Sequence, residues 1–245
     1  MFDFFKKKNA KAEAVALEVD FHSHFLPGLD DGCKTLDESM ELIERMIGYG
    51  YKHLIMSPHV MGDYYKNTRE GILEKLELVR AEAEKRNLHV HLDATAEYYL
   101  DEWFEEKVQS KTLLPFCGNH ILFEISYVNE PKNLFETVFQ LQVAGYRPVL
   151  AHPERYLFFH GRTEVFEQLV SHGCALQVNL MSLEGYYGNP ERRMAKELID
   201  KKLVTFLGSD AHRLKHVEIL ESVFKGELFQ QASRLVENNK LFPAE

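Results

Sequence analysis

The sequence has little cysteine, no excess of positive charge and no long apolar run. Its three cysteines are far apart and form no CxxC pair, so they suggest neither a disulfide framework nor a zinc knuckle. The formal net charge of −9 over 245 residues argues against a general nucleic-acid binder, which needs basic surface for phosphate contacts. These properties favour a protein of the reducing cytoplasm.

The apolar stretches are too short to span a bilayer, and the first residues lack the apolar segment of a signal peptide. We therefore expect no stable membrane insertion. Residues 1–16 carry three consecutive lysines and are expected to form a frayed N-terminal extension. Residues 17–245 are expected to form one domain, since α/β barrels of this length are common.

Strand-like and helix-like stretches alternate along the chain. Thr35 and Glu38 have the spacing of a capping box, and apolar residues at helical spacing follow them. Alternation of this kind implies parallel strands joined by right-handed crossovers, and seven units predict an α/β fold with a closed or nearly closed barrel. The predicted strands cover residues 17–22, 52–57, 88–97, 120–125, 147–151, 175–179 and 204–208; helices fall between them, and two more cover 217–223 and 230–238.

Residues that can bind metal ions follow or end these predicted strands. The loops after the carboxyl ends of barrel strands form one face, and active sites lie there. A lone histidine at a strand end is more often structural, but a whole set on one face predicts a metal site. The candidate ligands are His22, His24, Asp31, His59, Glu97, Glu124, His152, Asp210 and His212.

A second HxH pair serves as an internal comparison. His89 and His91 lie near the start of a predicted strand, so we expect them on the opposite face of the barrel. His53 and His120 also open predicted strands, and they are left out of the site for the same reason.

The number of candidate ligands indicates more than one metal ion. A catalytic zinc ion usually takes three protein ligands, so nine donors imply at least two ions and more comfortably three. Nitrogen and oxygen ligands without thiolate suit Zn²⁺, Mn²⁺ or Fe²⁺ and do not separate them. Clustered divalent ions are suited to cleavage of phosphate esters.

Arg155, three residues after His152, could add a planar fork of donors for phosphoryl oxygens. The competing interpretation is a salt bridge at the rim with Glu154 or Asp210. Arg213 is a weaker candidate, and a surface position is preferred for it.

The motifs that carry these residues together resemble the PHP (polymerase and histidinol phosphatase) superfamily. Within it, they look like the bacterial tyrosine-protein phosphatases of capsule and exopolysaccharide operons, the YwqE/CpsB/CapC type. The resemblance covers about residues 19–212. It is carried by HSH at 22–24, LPGLDDG at 26–32, SPH at 57–59, FEIS at 123–126, AHPER at 151–155 and GSDAH at 208–212, with Glu97 between them.

This resemblance implies a distorted (β/α)7 barrel with a trinuclear metal centre. It also implies hydrolysis of phosphotyrosine in the tail of a partner bacterial tyrosine kinase that controls polysaccharide export. By motif, the nine candidate ligands carry over as metal ligands and Arg155 as a phosphate-binding group. Relatives of this kind form oligomers, so a homo-oligomer is plausible.

The sequence leaves one alternative function open, disfavours a second and excludes a third. A small-molecule phosphatase of the histidinol-phosphate kind, or another phosphoesterase, fits the same barrel. A metal-dependent binding module without catalysis is disfavoured, because no ligand position holds an apolar residue. A cysteine-based tyrosine phosphatase is excluded, because it needs an arginine six residues after the cysteine, and those positions hold Ser39, Phe123 and Leu180.

Overall fold

The computed structural model describes residues 16–241, which form an α/β fold. Strands and helices alternate as predicted, but the strands are short. The strands are β1 (Val19–Asp20), β2 (His53–Met56), β3 (His59–Val60), β4 (His91–Ala94), β5 (Glu97–Tyr99), β6 (His120–Glu124), β7 (Arg147–Ala151), β8 (Ala175–Asn179) and β9 (Phe206–Gly208). The α-helices are α1 (Leu36–Gly48), α2 (Arg69–Lys85), α3 (Glu102–Ser110), α4 (Leu134–Val143), α5 (Glu164–Ser171), α6 (Asn189–Asp200), α7 (Leu214–Lys225) and α8 (Glu227–Ala232).

Every strand pair is parallel, in two sheets of order β1-β2-β4 and β3-β5-β6-β7-β8-β9. Strand β3 follows β2 after a break, beyond the end of the predicted strand 52–57, and a second break divides the predicted strand 88–97 into β4 and β5. The first break falls at Pro58, which has no N–H to donate to the ladder. The ladder still continues across both breaks, since Glu97 N donates to the oxygen of Pro58 at 3.0 Å.

The last strand returns to the first. Beyond β9, Asp210 N donates to the oxygen of His22 at 2.7 Å, and Ser23 and Ala211 form a parallel bridge. Hydrogen bonds therefore run around a ring of strands, and the predicted α/β class is confirmed.

Two apolar clusters fill the structure. The larger one packs the helices onto the strands, and the smaller one combines strand residues with Phe21 and Phe116 inside the ring. In the smaller cluster, Phe21 stacks on Phe116 at 4.8 Å between ring centroids and meets the edge of Phe206 at 5.1 Å. This cluster fills the ring at the end opposite the candidate ligands.

The last predicted helix is shorter than expected. α8 ends at Ala232, and the chain then makes a turn in which the side chain of Asn238 is buried. Asn238 accepts from Leu207 N at 2.9 Å and donates to the carbonyl oxygens of Leu207 and Val19 at 2.6 and 3.2 Å. The side-chain amide of Asn238 thus forms hydrogen bonds with the backbone of β9 and β1. These hydrogen bonds require a turn here rather than a continued helix.

Within residues 16–241, no helix is both long enough and apolar enough to cross a bilayer. The expected N-terminal extension lies outside the described residues except for Ala16.

Candidate metal centre

The nine predicted ligands meet at the carboxyl-terminal ends of the strands. His22 and His24 follow β1, with Asp31 in the loop beyond; His59 follows β2 and opens the short β3, and Glu97 follows β4 and opens the short β5. Glu124 ends β6, His152 follows β7, and Asp210 and His212 follow β9. The short strands thus deliver side chains from six parts of the chain to one place.

The most buried group holds four of these residues. The Nε2 atoms of His22 and His24 lie 3.2 and 3.4 Å from Glu97 Oε2, and 3.5 and 3.4 Å from Asp210 Oδ1. Each of the four side chains is at most 3% exposed. Two imidazoles and two carboxylates that converge this closely can surround one cation.

Two further groups share members with the first. One comprises His24, Asp31, His59 and His212, and the other His59, Glu97 and Glu124, each with ligand atoms within 4.8 Å of one another. Eight of the nine predicted ligands therefore fall into three overlapping groups among the described residues.

His152, the ninth, stands beside these groups. Its Nε2 is 2.9 Å from Glu97 Oε1 and 3.8 Å from Glu124 Oε2. His152 thus contacts the same two carboxylates that His59 contacts at 3.2 Å.

Buried polar atoms in the site fit a bound metal. Within the described part of the chain, His22 Nε2, His24 Nε2 and Glu97 Oε2 are buried and make no hydrogen bond. Buried polar atoms of this kind are rare and need an explanation. Lone pairs of nitrogen and oxygen that face one another without a proton between them are what a divalent cation would satisfy.

The electrostatics of the site favour positive charge. Although burial opposes it, neighbouring Glu97 raises the pKa of His59 to about 9, with help from Glu124. Burial also opposes ionisation of Glu97, yet His22 and His59 hold the pKa of that carboxyl well below its usual range. Four carboxylates in this space require cations, and bound metal ions would take the place of the imidazole protons.

Residues outside the predicted set orient the ligands. His22 Nδ1 donates to Gln177 Oε1 at 2.6 Å, and His24 Nδ1 donates to Asp30 Oδ2 at 2.7 Å. Asn179 continues the network, because it accepts from Gln177 at 2.9 Å and donates to Asp210 Oδ2 at 2.6 Å. The strand predicted over 175–179 ends at Asn179, but the sequence did not mark Asp30 or Gln177 as residues of the site.

Two glycines permit the close packing of the ligand histidines. A Cβ on Gly32 would lie 2.1 Å from the oxygen of His24, and a Cβ on Gly208 would lie 2.8 Å from the Cβ of His22. Glycine is therefore required at both positions, because a larger side chain would collide with a ligand histidine.

The backbone is strained at two candidate ligands. His152 and Asp210 have φ of +33° and +49°, in the left-handed region that non-glycine residues rarely adopt. Such conformations persist only where the surroundings fix them, which fits a preorganised site.

A cleft of ≈ 380 Å³ opens above the ligands. Arg155 lines it, 24% exposed, with Nη1 3.1 Å from Asp210 Oδ2. The salt bridge considered from the sequence is thus present, with Asp210 as the partner. Met61 and three tyrosines also line the cleft, as does Arg213, which is exposed as expected.

The comparison pair of histidines lies at the other end of the strands. His91 opens β4, and its ring stacks on His53 of β2 with centroids 4.6 Å apart. Neither His89 nor His91 belongs to a metal-binding group among the described residues.

Comparison with known proteins identifies the family of this chain. The family model described as capsular polysaccharide synthesis, CpsB/CapC, matches residues 18–218. The chain belongs to the CpsB/CapC family. The resemblance inferred from the motifs is thereby confirmed.

Relatives in this family are named as tyrosine phosphatases. The chain is 28% identical to the tyrosine-protein phosphatase YwqE of Bacillus subtilis, over 91% of this chain and 93% of that one. It is also 28% identical to the putative tyrosine-protein phosphatase CapC of Staphylococcus aureus, over 80% and 77% of the two chains.

Solved structures show the same fold. One, from work on YwqE of B. subtilis and CpsB of Streptococcus pneumoniae described as unique metal-dependent tyrosine phosphatases, superposes with a TM-score of 0.77 at 27% identity, over 93% of this chain and 88% of that one. A histidinol phosphate phosphatase of Lactococcus lactis superposes with a TM-score of 0.54 at 14% identity, over 85% and 93%. This second likeness concerns the fold alone.

The cysteines of this CpsB/CapC family member do not form a thiolate site. Burial raises the pKa of the Cys33 and Cys174 thiols to about 12 and that of Cys117 to about 11. A thiol nucleophile needs a lowered pKa, so the exclusion made from the sequence agrees with the structure.

Proposed function

We propose that this chain is a cytoplasmic, metal-dependent protein-tyrosine phosphatase. Its substrate is phosphotyrosine in the tail of a bacterial tyrosine kinase that controls capsular or extracellular polysaccharide synthesis. The observation that carries the proposal is the set of three overlapping nitrogen and oxygen ligand groups at the floor of a cleft lined by arginine and tyrosine. Family membership and the names of the relatives support the same activity.

We propose that two to three divalent ions bind here, with Mn²⁺, Fe²⁺ and Zn²⁺ as the candidates. The ligands would be His22, His24, Asp31, His59, Glu97, Glu124, His152, Asp210 and His212. Support for three ions comes from the three groups, and support for these metals from the absence of thiolate among the ligands.

When bound, divalent ions supply Lewis acidity for activating water and neutralise the charge of a phosphate ester. The protein contributes the rest. The carboxylates and imidazoles fix the ions at the floor of the cleft, and Arg155 offers N–H donors to the phosphoryl oxygens. Outer residues such as Asp30 and Gln177 hold the histidine rings in one orientation.

A protein substrate is favoured over a metabolite by the rim of the cleft. Val128 is 80% exposed and follows β6 at the strand ends that carry the ligands. Exposed apolar side chains at a rim suit contact with a peptide. Hydrolysis of histidinol phosphate or of another phosphate ester is the alternative activity.

We further propose that residues 17–245 act as one phosphatase domain and residues 1–16 as an extension. A homo-oligomer remains part of the proposal. Size-exclusion chromatography with light scattering tests that part separately from the activity.

The deciding experiment compares substrates on the purified, metal-reconstituted protein. Hydrolysis rates are measured on a phosphotyrosine peptide, a matched phosphoserine peptide and histidinol phosphate, with metal content determined by elemental analysis. We expect kcat/KM to be highest for phosphotyrosine. Faster hydrolysis of histidinol phosphate would replace the proposal by its alternative, and tight metal binding without turnover of any substrate would indicate a binding module.

A further inference from the structure

The guanidinium of Arg155 lies between two tyrosine rings at the cleft. Its Cζ is 4.7 Å from the ring centroid of Tyr127 and 4.3 Å from that of Tyr187. Tyr127 belongs to the loop after β6, and Tyr187 to the turn before α6. Two separate parts of the fold thus supply the two rings.

Charge pairing alone would hold the guanidinium at one point. Among the described residues, Asp210 is the hydrogen-bond partner of the guanidinium, through Nη1 at 3.1 Å. A contact at one nitrogen leaves the plane of the group free to rotate, and a guanidinium carries five N–H donors. Aromatic faces attract a guanidinium through the ring quadrupole and restrict its plane.

The two tyrosines are themselves tied to the candidate metal ligands. Tyr187 Oη lies 3.4 Å from Asp210 Oδ2, and Tyr127 Oη lies 3.3 Å from His152 Nε2. Both rings, and the guanidinium between them, are therefore placed relative to the ligand groups below.

We propose that Tyr127 and Tyr187 form an aromatic clamp that positions Arg155. The clamp fixes the plane of the guanidinium so that its unpaired N–H donors face the phosphoryl group. The proposal rests on the proposed function, in which Arg155 contacts the phosphate of the substrate. The tyrosines act through Arg155, so they are positioning residues.

The first test distinguishes the contribution of each tyrosine ring from that of its hydroxyl. Tyr127→Leu and Tyr187→Leu each remove a ring, whereas Tyr127→Phe and Tyr187→Phe keep it. With a phosphotyrosine peptide, we expect each Leu variant to lose kcat/KM by roughly 10-fold, the scale of a partly desolvated cation–π contact. Each Phe variant should lose clearly less than its Leu counterpart, and metal content should match the wild type in all four.

Tyr64→Leu is the matched control. Tyr64 is 78% exposed, and no ring contact joins it to Arg155 among the described residues. It should keep the wild-type kcat/KM. Leu variants of the clamp that behave like this control would overturn the proposal.

The second test asks whether the tyrosines act through Arg155. Each Leu substitution is repeated in an Arg155→Ala background, and the two effects on kcat/KM are compared in a double-mutant cycle. The clamp predicts that the Leu substitution costs nothing further once the guanidinium is gone. Effects that multiply in the double variant would show that the rings act independently of Arg155, and would overturn the proposal.

The third test does not depend on turnover. In ¹⁵N-labelled protein, the Nε proton of Arg155 is followed by NMR. It should exchange slowly with water in the wild type and faster in both Leu variants. If the wild type hydrolyses no phosphotyrosine but this difference is seen, the clamp stands and the proposed function fails. An Arg155 signal that is the same in wild type and Leu variants would overturn the clamp whatever the activity.

Discussion

At the scale of single residues, hydrogen bonds behind the ligands decide which ring nitrogen faces the site. His24 donates from Nδ1 to Asp30, and Asp30 also accepts from the backbone N–H of Gly32 at 2.9 Å and of His59 at 3.0 Å. A carboxylate held by two backbone groups cannot swing away easily. It therefore keeps Nε2 of His24 directed at the ligand group and makes that ring a better metal ligand.

Asp30→Asn tests this arrangement. The amide keeps the size of the side chain but loses the charge that favours a donating Nδ1. We expect metal affinity to fall by roughly 10–100-fold, the usual effect of removing an outer partner of a metal-binding histidine. Calorimetric titration of the metal-free protein measures it. Asp37→Asn, at a carboxylate that is 91% exposed, is the control and should leave the affinity unchanged.

Arg155 should matter for turnover without holding metal. Arg155→Ala is expected to keep the wild-type metal content and to lower kcat/KM by roughly 10²-fold or more, the scale for a preorganised charged donor. Arg155→Lys should recover only part of this, because an ammonium cannot present a planar fork. If the salt bridge to Asp210 were its whole role, Arg155→Ala would lower the melting temperature and leave the kinetics near wild type.

Some residues of the site could be read from the sequence and others could not. HxH and SDAH place metal-binding side chains two positions apart, which is a strong local signal. Asp30 and Asp31 are adjacent, and spacing alone does not tell which carboxylate faces the ligand group and which supports His24. Gln177 is an ordinary strand residue in the sequence, and only its contact with His22 marks it.

At the scale of elements, the end of the ring of strands at which a histidine lies decides its role. His22 and His24 follow β1, whereas His91 begins β4, just after His89. Replacing His22 and His24 by Ala should abolish metal binding and phosphatase activity. Replacing His89 and His91 by Ala should leave both largely intact, with a small loss of stability from the lost contact between His91 and His53. Metal content and activity of the two double variants check this, and an equally essential second pair would show that the assignment of the two ends is wrong.

The start of α1 could be predicted from the sequence, whereas the break between β4 and β5 and the turn at Asn238 could not, for physical reasons. Thr35 and Glu38 form the expected reciprocal capping box, which is a local signal. The interruption between β4 and β5 at Thr95 and Ala96 leaves no such signal, because neither residue is excluded from strands. The turn at Asn238 depends on contacts with β1 and β9, which sequence periodicity does not reveal.

At the scale of the whole molecule, the site forms only when the first and last strands are brought together by folding. Asp20 accepts hydrogen bonds from Ser209 N and Oγ at 3.0 and 2.6 Å across 189 residues of sequence. The most buried ligand group combines His22 and His24 from one end with Asp210 from the other. A metal ion in this group would bind the folded chain and not the unfolded one, so binding is linked to folding.

Removal of metal should therefore change both activity and stability. Prolonged chelation is expected to abolish phosphatase activity, and added Mn²⁺ or a similar ion should restore it. At a free ion concentration 100 times the Kd, linkage stabilises the folded state by about 2.7 kcal/mol, which corresponds to a rise in Tm of roughly 5–10 °C for a domain of this size. Activity and thermal unfolding are measured on the same samples, with metal content verified by elemental analysis. The variant lacking His22 and His24 is the control, and its Tm should not respond to metal. Full activity in a verified metal-free sample would contradict the proposed metal centre.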